Sequence, residues 1–543
     1  MGFFFYQLKN HINRDHLSDW FEIVNKKYNS YKKDNKNSFQ IELEKQKKDY
    51  INNFIGHFRE DIFYENLTHR EIKFKIKAKE ECIIYGGNLY NSKYNLSVKP
   101  DLIIHRNKFK QYFPEIKEEL PEYIIIDILY KILHLNSDKT DILNQGNIYY
   151  HKCKMFIASD VLSNKKTGYF FGKEYRHNNI SLTKREIIAH FPLQADFKQS
   201  VEEAIKWLIL LNENYDKWII YPRPSIKELY PNMNLKVGEW LNEKTILAEL
   251  IKEITLVWNI SYNKRCVLLD KGITSWDDPF LLGNIYPYPV RENFREYTQA
   301  KMIQLNLQEE ILIEPRKIKN YGFLQIIKDQ TNSIILDIES VVELDEKESY
   351  FEEKEEKEEK EEKESNIPKI CIIGTILNKD DYIFKDFTIK FLKEDEERKI
   401  ICYWLHYLDK NFTGKIKVYH WGNAEKVYVQ YMKDKYPELV FPKFEMIDLL
   451  HYFKAEPITI KGCFGYGLKE IVKKLYDLKL IENQWSDDTN GLDAMVQLKK
   501  ASDSALEKNI PMKRFYEIKN IINYNYTDCK VIVDILKLLE TMI

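Results

Sequence analysis

Between Glu343 and Glu364 the chain carries thirteen acidic residues and five lysines, a density of charge that no protein interior can hold. Any fold this sequence adopts must carry the stretch through solvent, although alternating Glu and Lys can support a solvated single helix. The apolar run Ile334-Ile335-Leu336 precedes it and a second, Ile370 to Ile376, follows, each with the length and composition of a buried strand. Residues 343–365 therefore read as an insertion in a hairpin loop, not as a domain boundary. Set against a total of −1, the run leaves about +7 on the rest of the chain, the direction expected of a polyanion-binding protein.

A chain of 543 residues exceeds what one hydrophobic core supports, and 44% hydrophobic composition is enough to fold nearly all of it. Residues 1–78 are polar and Lys-rich and read as a helical N-terminal extension with a basic outer face. From 79 to 197 the texture changes to short apolar runs, Ile83-Ile84-Tyr85, Leu102-Ile103-Ile104 and Ile124-Ile125-Ile126, which are buried strands. Residues 198–330 carry helical patterns with proline-marked turns and read as a connector. Residues 331–543 supply strands and then helices, an α/β layer order. Met1 to Tyr6 is too short for a signal-peptide core or a membrane span, and Tyr6 stands where a myristoylation motif wants Ser or Thr. Seven scattered cysteines without a CxxC pair argue against a zinc ribbon or a disulfide framework, so the expected home is intracellular and reducing, with no membrane partner.

Asp337 and Glu339 stand two apart at the end of an apolar strand, and strand alternation points both carboxylates to one face. Two hard oxygen ligands so placed can share a divalent cation. Tyr524 and Asp528, four apart, share one face of a helix that continues amphipathically through Val531, Ile532, Ile535 and Leu538. A further acid comes from His420-Trp421-Gly422-Asn423-Ala424-Glu425, a strand end turning into a helix, whose Glu425 could face the first two carboxylates. Asp448, in Met446-Ile447-Asp448-Leu449-Leu450, competes with it.

Together these motifs resemble the DEDD exonucleases of the RNase H-like fold, in the subgroup whose last motif is YxxxD. The longer pattern is similar to the YprB-like branch, through His420 to Glu425, Ile447-Asp448-Leu449, Gly467-Leu468-Lys469-Glu470, Trp485 and Gly491-Leu492-Asp493-Ala494-Met495. In that branch the second-motif acid is often Glu, which favours Glu425 over Asp448. The resemblance implies a 3′–5′ exonuclease on DNA or RNA, with Asp337, Glu339, Glu425 and Asp528 holding two Mg²⁺ or Mn²⁺ ions about 3.5 to 4 Å apart. Tyr524 would orient the attacking water.

Lys99-Pro100-Asp101-Leu102-Ile103-Ile104, followed by Tyr123-Ile124-Ile125-Ile126-Asp127, has the layout of a PD-(D/E)XK nuclease: one acid begins a strand and another ends the next. The lysine due two residues after the second acid is replaced by Leu129, and Lys131 is the nearest lysine that alternation keeps on the same face. The stretch resembles RecB-family predicted nucleases, above all two-domain proteins of large DNA viruses that join such a core to a YprB-like domain. For a viral chain that implies the host cytoplasm, a viral factory or the virion. The glutamine usual in the following helix is Lys154. These departures read as a degenerate second site, Asp101, Asp127 and Lys131, that grips substrate without cutting it. Trp258 to Pro279 resembles a helix-hairpin-helix, with Lys264, Arg265 and Lys271 as candidate phosphate contacts. The expected architecture is thus α/β and multidomain: a restriction-endonuclease-like core, a helical connector, and an RNase H-like domain with a mixed sheet. The rival reading is a catalytically inactive nucleic-acid-binding or scaffold protein.

Because loop closure entropy grows only slowly with length, replacing 343–364 by a short Gly/Ser turn should shift the melting temperature by no more than a few °C. A large loss on deletion, read by calorimetry, would mean that the run packs against the fold.

Overall fold

Each half of the chain is organised on a sheet whose central strand is rich in apolar residues and buried along nearly all its length, the pattern of a strand covered on both faces. The computed structural model describes residues 2–114, 116, 119–162, 167–177, 180–182, 189–236, 238–286, 294–341, 369–378, 382–486 and 491–543; the expected insertion 343–365 lies outside them. In the first half the strands are β1 (Phe63–Glu65), β2 (Ile83–Tyr85), β3 (Leu102–His105), β4 (Tyr123–His134), β5 (Thr167–His177) and β6 (Ala189–Pro192). They lie in the order β6-β5-β4-β3-β2-β1, with Ile180–Leu182 added beside β5. Strands β2, β3 and β4 are antiparallel neighbours, whereas β4 and β5 run parallel. A parallel pair needs a crossover, and helix α2 (Ile148–Leu162) supplies it.

The second half contains β7 (Ser333–Val341), β8 (Lys369–Leu377), β9 (Phe384–Thr388), β10 (Ile416–His420) and β11 (Phe444–Asp448) in the order β9-β8-β7-β10-β11. β7, β8 and β9 form an antiparallel meander, and β10 and β11 run parallel to β7. Val341 pairs with Lys369, so the chain leaves β7 and re-enters β8 at adjacent points, as the hairpin reading requires. Helices α3 (Ala424–Lys435), α4 (Leu468–Asp477), α5 (Gly491–Lys508) and α6 (Tyr516–Glu540) follow in this half. Ile518 and Ile521 of α6 join Leu336 and Ile372 in one core, while Val531, Ile532 and Ile535 join Ile335 and Ile376 in another. The α/β class and the mixed sheets match expectation.

Pairing and packing run across the boundaries expected at 78 and 331. Phe3–Phe4 pairs with Leu96–Val98 and β1 pairs with β2, so the first 78 residues contribute strands to the first half as well as helices. Ile313–Glu314 pairs with Thr459–Ile460, and Ile318, Phe323 and Ile327 are buried with β7 and α6. Residues upstream of 331 thus pack with the second sheet. Helix α1 (Ser38–Gly56) reaches across to α5: the Ser38 hydroxyl donates to Asp493 at 2.6 Å, and Phe39 is buried against Met495 and Val496. Among the described residues no helix is long and apolar enough to cross a membrane, and all seven cysteines are free.

The connector corrects one assignment. Arg265 does not face a ligand: it is 1% exposed, its guanidinium donates to the carbonyls of Tyr230 and Pro231, and it stands 3.5 Å from the fully buried Glu253. A helix turn that packs against a proline-bent loop swallows the long side chain. Lys264 stands 3.8 Å from Glu296, and Lys271 donates to Asn284 at the surface. Removing one member of a buried ion pair strands the other, so Arg265→Met should cost about 3–5 kcal/mol in a denaturant titration. Lys271→Ala should leave stability within about 0.5 kcal/mol.

Candidate metal centre

β7 carries Asp337, Ile338 and Glu339 in its second half, and between Glu339 and Ser340 its pairing with β8 shifts register. A bulge of this kind turns a strand end and re-aims its side chains. α6 lies across the sheet at the same level. Here the Asn525 side-chain amide donates to the Asp337 carboxylate at 2.5 Å and to the Asp337 carbonyl at 3.2 Å. Asp337 faces Gly374 across the strand pair, and a Cβ on Gly374 would sit 1.6 Å from Asn525 Oδ1. Only glycine admits the helix there. One turn on from Tyr524, Asp528 receives the Trp485 indole N–H at 3.1 Å.

Ligand atoms of Asp337, Glu339 and Asp528 lie within 4.8 Å of one another. Glu425, at the start of α3, lines with Asp337 and Asp528 a pocket of about 390 Å³, together with Trp421, Lys469, Trp485 and Tyr524. Asp448 turns elsewhere: it accepts the backbone N–H groups of Gly422 at 2.8 Å and Leu450 at 2.9 Å and caps the helix that follows. Of the two competing acids, Glu425 is the one at the centre. Every sequence-derived candidate in this half, Asp337, Glu339, Glu425, Tyr524 and Asp528, is thus brought to one place.

Electrostatically the cluster is incomplete. Burial pushes the Asp337 carboxyl up to about 7 against the opposing hydrogen bond from Asn525. Burial, then the negative charge of Asp337, Asp528 and Glu425, raises Glu339, and burial with neighbouring acids likewise raises Glu425 and Asp528. Burial and the acids also raise Tyr524, so its phenol keeps its proton. The Lys469 ammonium, 5.0 Å from the Tyr524 ring centroid and 5.4 Å from that of Trp485, is the cation that lines this pocket. Buried Glu425 Oε2 and Asn525 Oδ1 have no hydrogen-bond donor. Hard oxygen donors, crowded and partly unsatisfied, fit a divalent cation.

In the first half, Asp101 and Asp127 also meet. The Asp101 carboxylate accepts the Ile128 N–H at 2.7 Å, and Asp127 accepts the Asp101 N–H at 3.2 Å. Lys131 does not join them. The β4–β5 register shifts between Leu129 and Ile132, which breaks the alternation the sequence reading relied on, and the ammonium donates to the Gln145 carbonyl and Asn147. The lysine that arrives is Lys154, from α2, 2.8 Å from Asp127. Sequence reasoning gave no site role to Asn525, Trp485, Lys469 or His151; an Asn one residue after Tyr524, facing a lone glycine in an Ile-rich strand, is the signal that could have found the first.

Because the raised carboxyls hold protons in the folded chain that the unfolded chain releases near pH 4, stability of the metal-free protein should fall as pH rises from about 5 to about 8. Thermal melts in EDTA should show a drop of a few °C across that window, reversed by Mn²⁺ at pH 8 and reduced in Asp337→Asn. A flat profile would refute the crowding. Comparisons with protein-family models, with curated proteins and with solved structures found no match to this chain.

Proposed function

We propose that the C-terminal unit is a metal-dependent exonuclease of the RNase H-like type acting on DNA or RNA. The observation that carries this reading is the crowding of four carboxylates, from a strand and two helices, at one pocket where they raise one another and buried oxygens lack donors. The five-stranded order β9-β8-β7-β10-β11, antiparallel on one side of β7 and parallel on the other, supports it as well. In the first half, two acids meet beside a parallel β-α-β crossover, which supports the PD-(D/E)XK resemblance and a substrate-gripping part for that core.

Asp337, Glu339, Glu425 and Asp528 would hold two Mg²⁺ or Mn²⁺ ions, whose charge offsets that developing on a phosphodiester during its hydrolysis. The chain's own residues do the rest. Asn525 and Trp485 fix Asp337 and Asp528 by one hydrogen bond each, so neither carboxylate can rotate away. Tyr524, protonated, offers a hydroxyl that orients a water. Lys469 presents a positive charge to a phosphate oxygen, and the rings of Trp421 and Trp485 line a wall suited to a nucleobase.

Purified protein with Mn²⁺ should release labelled mononucleotides from the 3′ end of a single strand, with EDTA abolishing release. Asp337→Ala and Asp528→Ala should each lower the rate about 100-fold or more, and Tyr524→Phe about tenfold, the loss of one hydrogen bond. If wild type released no more label than Asp337→Ala/Asp528→Ala on both DNA and RNA, the inactive scaffold would be the better account.

A further inference from the structure

The acid pair of the first half differs from the C-terminal cluster in having an ammonium within bonding distance of a carboxylate oxygen. Asp127 is fully buried, and both its oxygens are taken: Oδ1 by Lys154 Nζ at 2.8 Å and the Asp101 N–H at 3.2 Å, Oδ2 by His151 Nδ1 at 3.1 Å. Asp101 turns Oδ2 to the Ile128 N–H and Oδ1 to the same ammonium, at 3.9 Å. His151 and Lys154 reach the pair together because they stand three apart on α2. Burial raises the Asp127 carboxyl, yet Lys154 and His151 outweigh it and bring it down to about 2.

A PD-(D/E)XK core implies a divalent ion between these two carboxylates, and the residues present do not fit one. Mg²⁺ and Mn²⁺ need several oxygen lone pairs in an open shell. Here the inward oxygens face an ammonium, and the others accept backbone or imidazole N–H groups. Seating a metal would drive Lys154, itself largely buried, away from both partners and strand its charge. Among the described residues, the only group of three or more potential ligands whose atoms converge is the C-terminal one. What sets the first cluster apart is an ammonium seated directly on its acids, 2.8 Å from Asp127 Oδ1 and 3.9 Å from Asp101 Oδ1.

We propose that Lys154 is a built-in counter-ion, occupying the place of the divalent cation in the N-terminal acid pair, so that this core is metal-free by construction and becomes a metal site only when the lysine is removed. The inference is independent of the exonuclease reading.

The test counts bound Mn²⁺ by electron paramagnetic resonance of the free ion, in full-length Asp337→Ala/Asp528→Ala so that the C-terminal centre does not contribute. This background should bind no Mn²⁺ at submillimolar concentration. Adding Lys154→Met should create one site per chain, and adding Asp101→Ala to that variant should remove it. A background that already binds one Mn²⁺, lost on Asp101→Ala, would overturn the proposal, as would a folded Lys154→Met protein that binds none. Lys154→Gln, which keeps a donor for Asp127, serves where the methionine variant fails to fold, with the same one-ion expectation. Comparing wild type with the background reports separately on the C-terminal centre.

Discussion

The C-terminal centre depends on a single close approach. α6 can lie against β7 and β8 only because Gly374 leaves room, and Asn525 fills that room and ties itself to Asp337 by two hydrogen bonds. Once this contact sets the helix in rotation and height, Asp528 one turn on falls beside Glu339, and Tyr524 faces the pocket. The apolar length of the helix, from Val531 to Leu539, then secures the arrangement by burial. Four carboxylates in so small a space oppose folding; the packing beneath them supplies what their repulsion removes, and a bound cation would relieve it.

Two clusters of buried acids in one chain illustrate how the same residues serve different ends. In the first half an ammonium and an imidazole both bond Asp127, and each oxygen of that carboxylate has a partner. In the second half the acids outnumber the nearby cation, and oxygens remain bare. A satisfied network rigidifies a core, whereas an unsatisfied one persists only where something else completes it. That contrast, more than the identity of any one residue, distinguishes a structural acid pair from a candidate catalytic one.

Much of this was legible in the sequence because strands and helices repeat with known periods. The runs at 83–85, 334–336 and 370–376 read as strands and lie within strands of the structure, and the spacing of Tyr524 and Asp528 placed them on one helical face. What escaped has physical causes. Lys131 was placed by strict alternation, which the register shift after Leu129 breaks, and bulges leave no mark in composition. Lys154 was noted as a departure, yet its reach to Asp127 follows from how α2 crosses the sheet, a tertiary fact. Arg265 looked like a surface cation because a buried Arg–Glu pair separated by twelve residues has no local pattern. The strand at 63–65 was hidden in a polar segment, since an edge strand needs little apolar surface.

The clasp between α1 and α5 bears on how the molecule responds to force. Ser38 and Phe39 reach Asp493, Met495 and Val496, more than 450 positions along the chain. The two halves are therefore joined not only covalently through the connector but also by this contact between positions far apart in sequence. A body held at two points cannot swing freely about one hinge. Cutting the backbone between the halves would leave this contact in place, so the two fragments would keep a point of attachment.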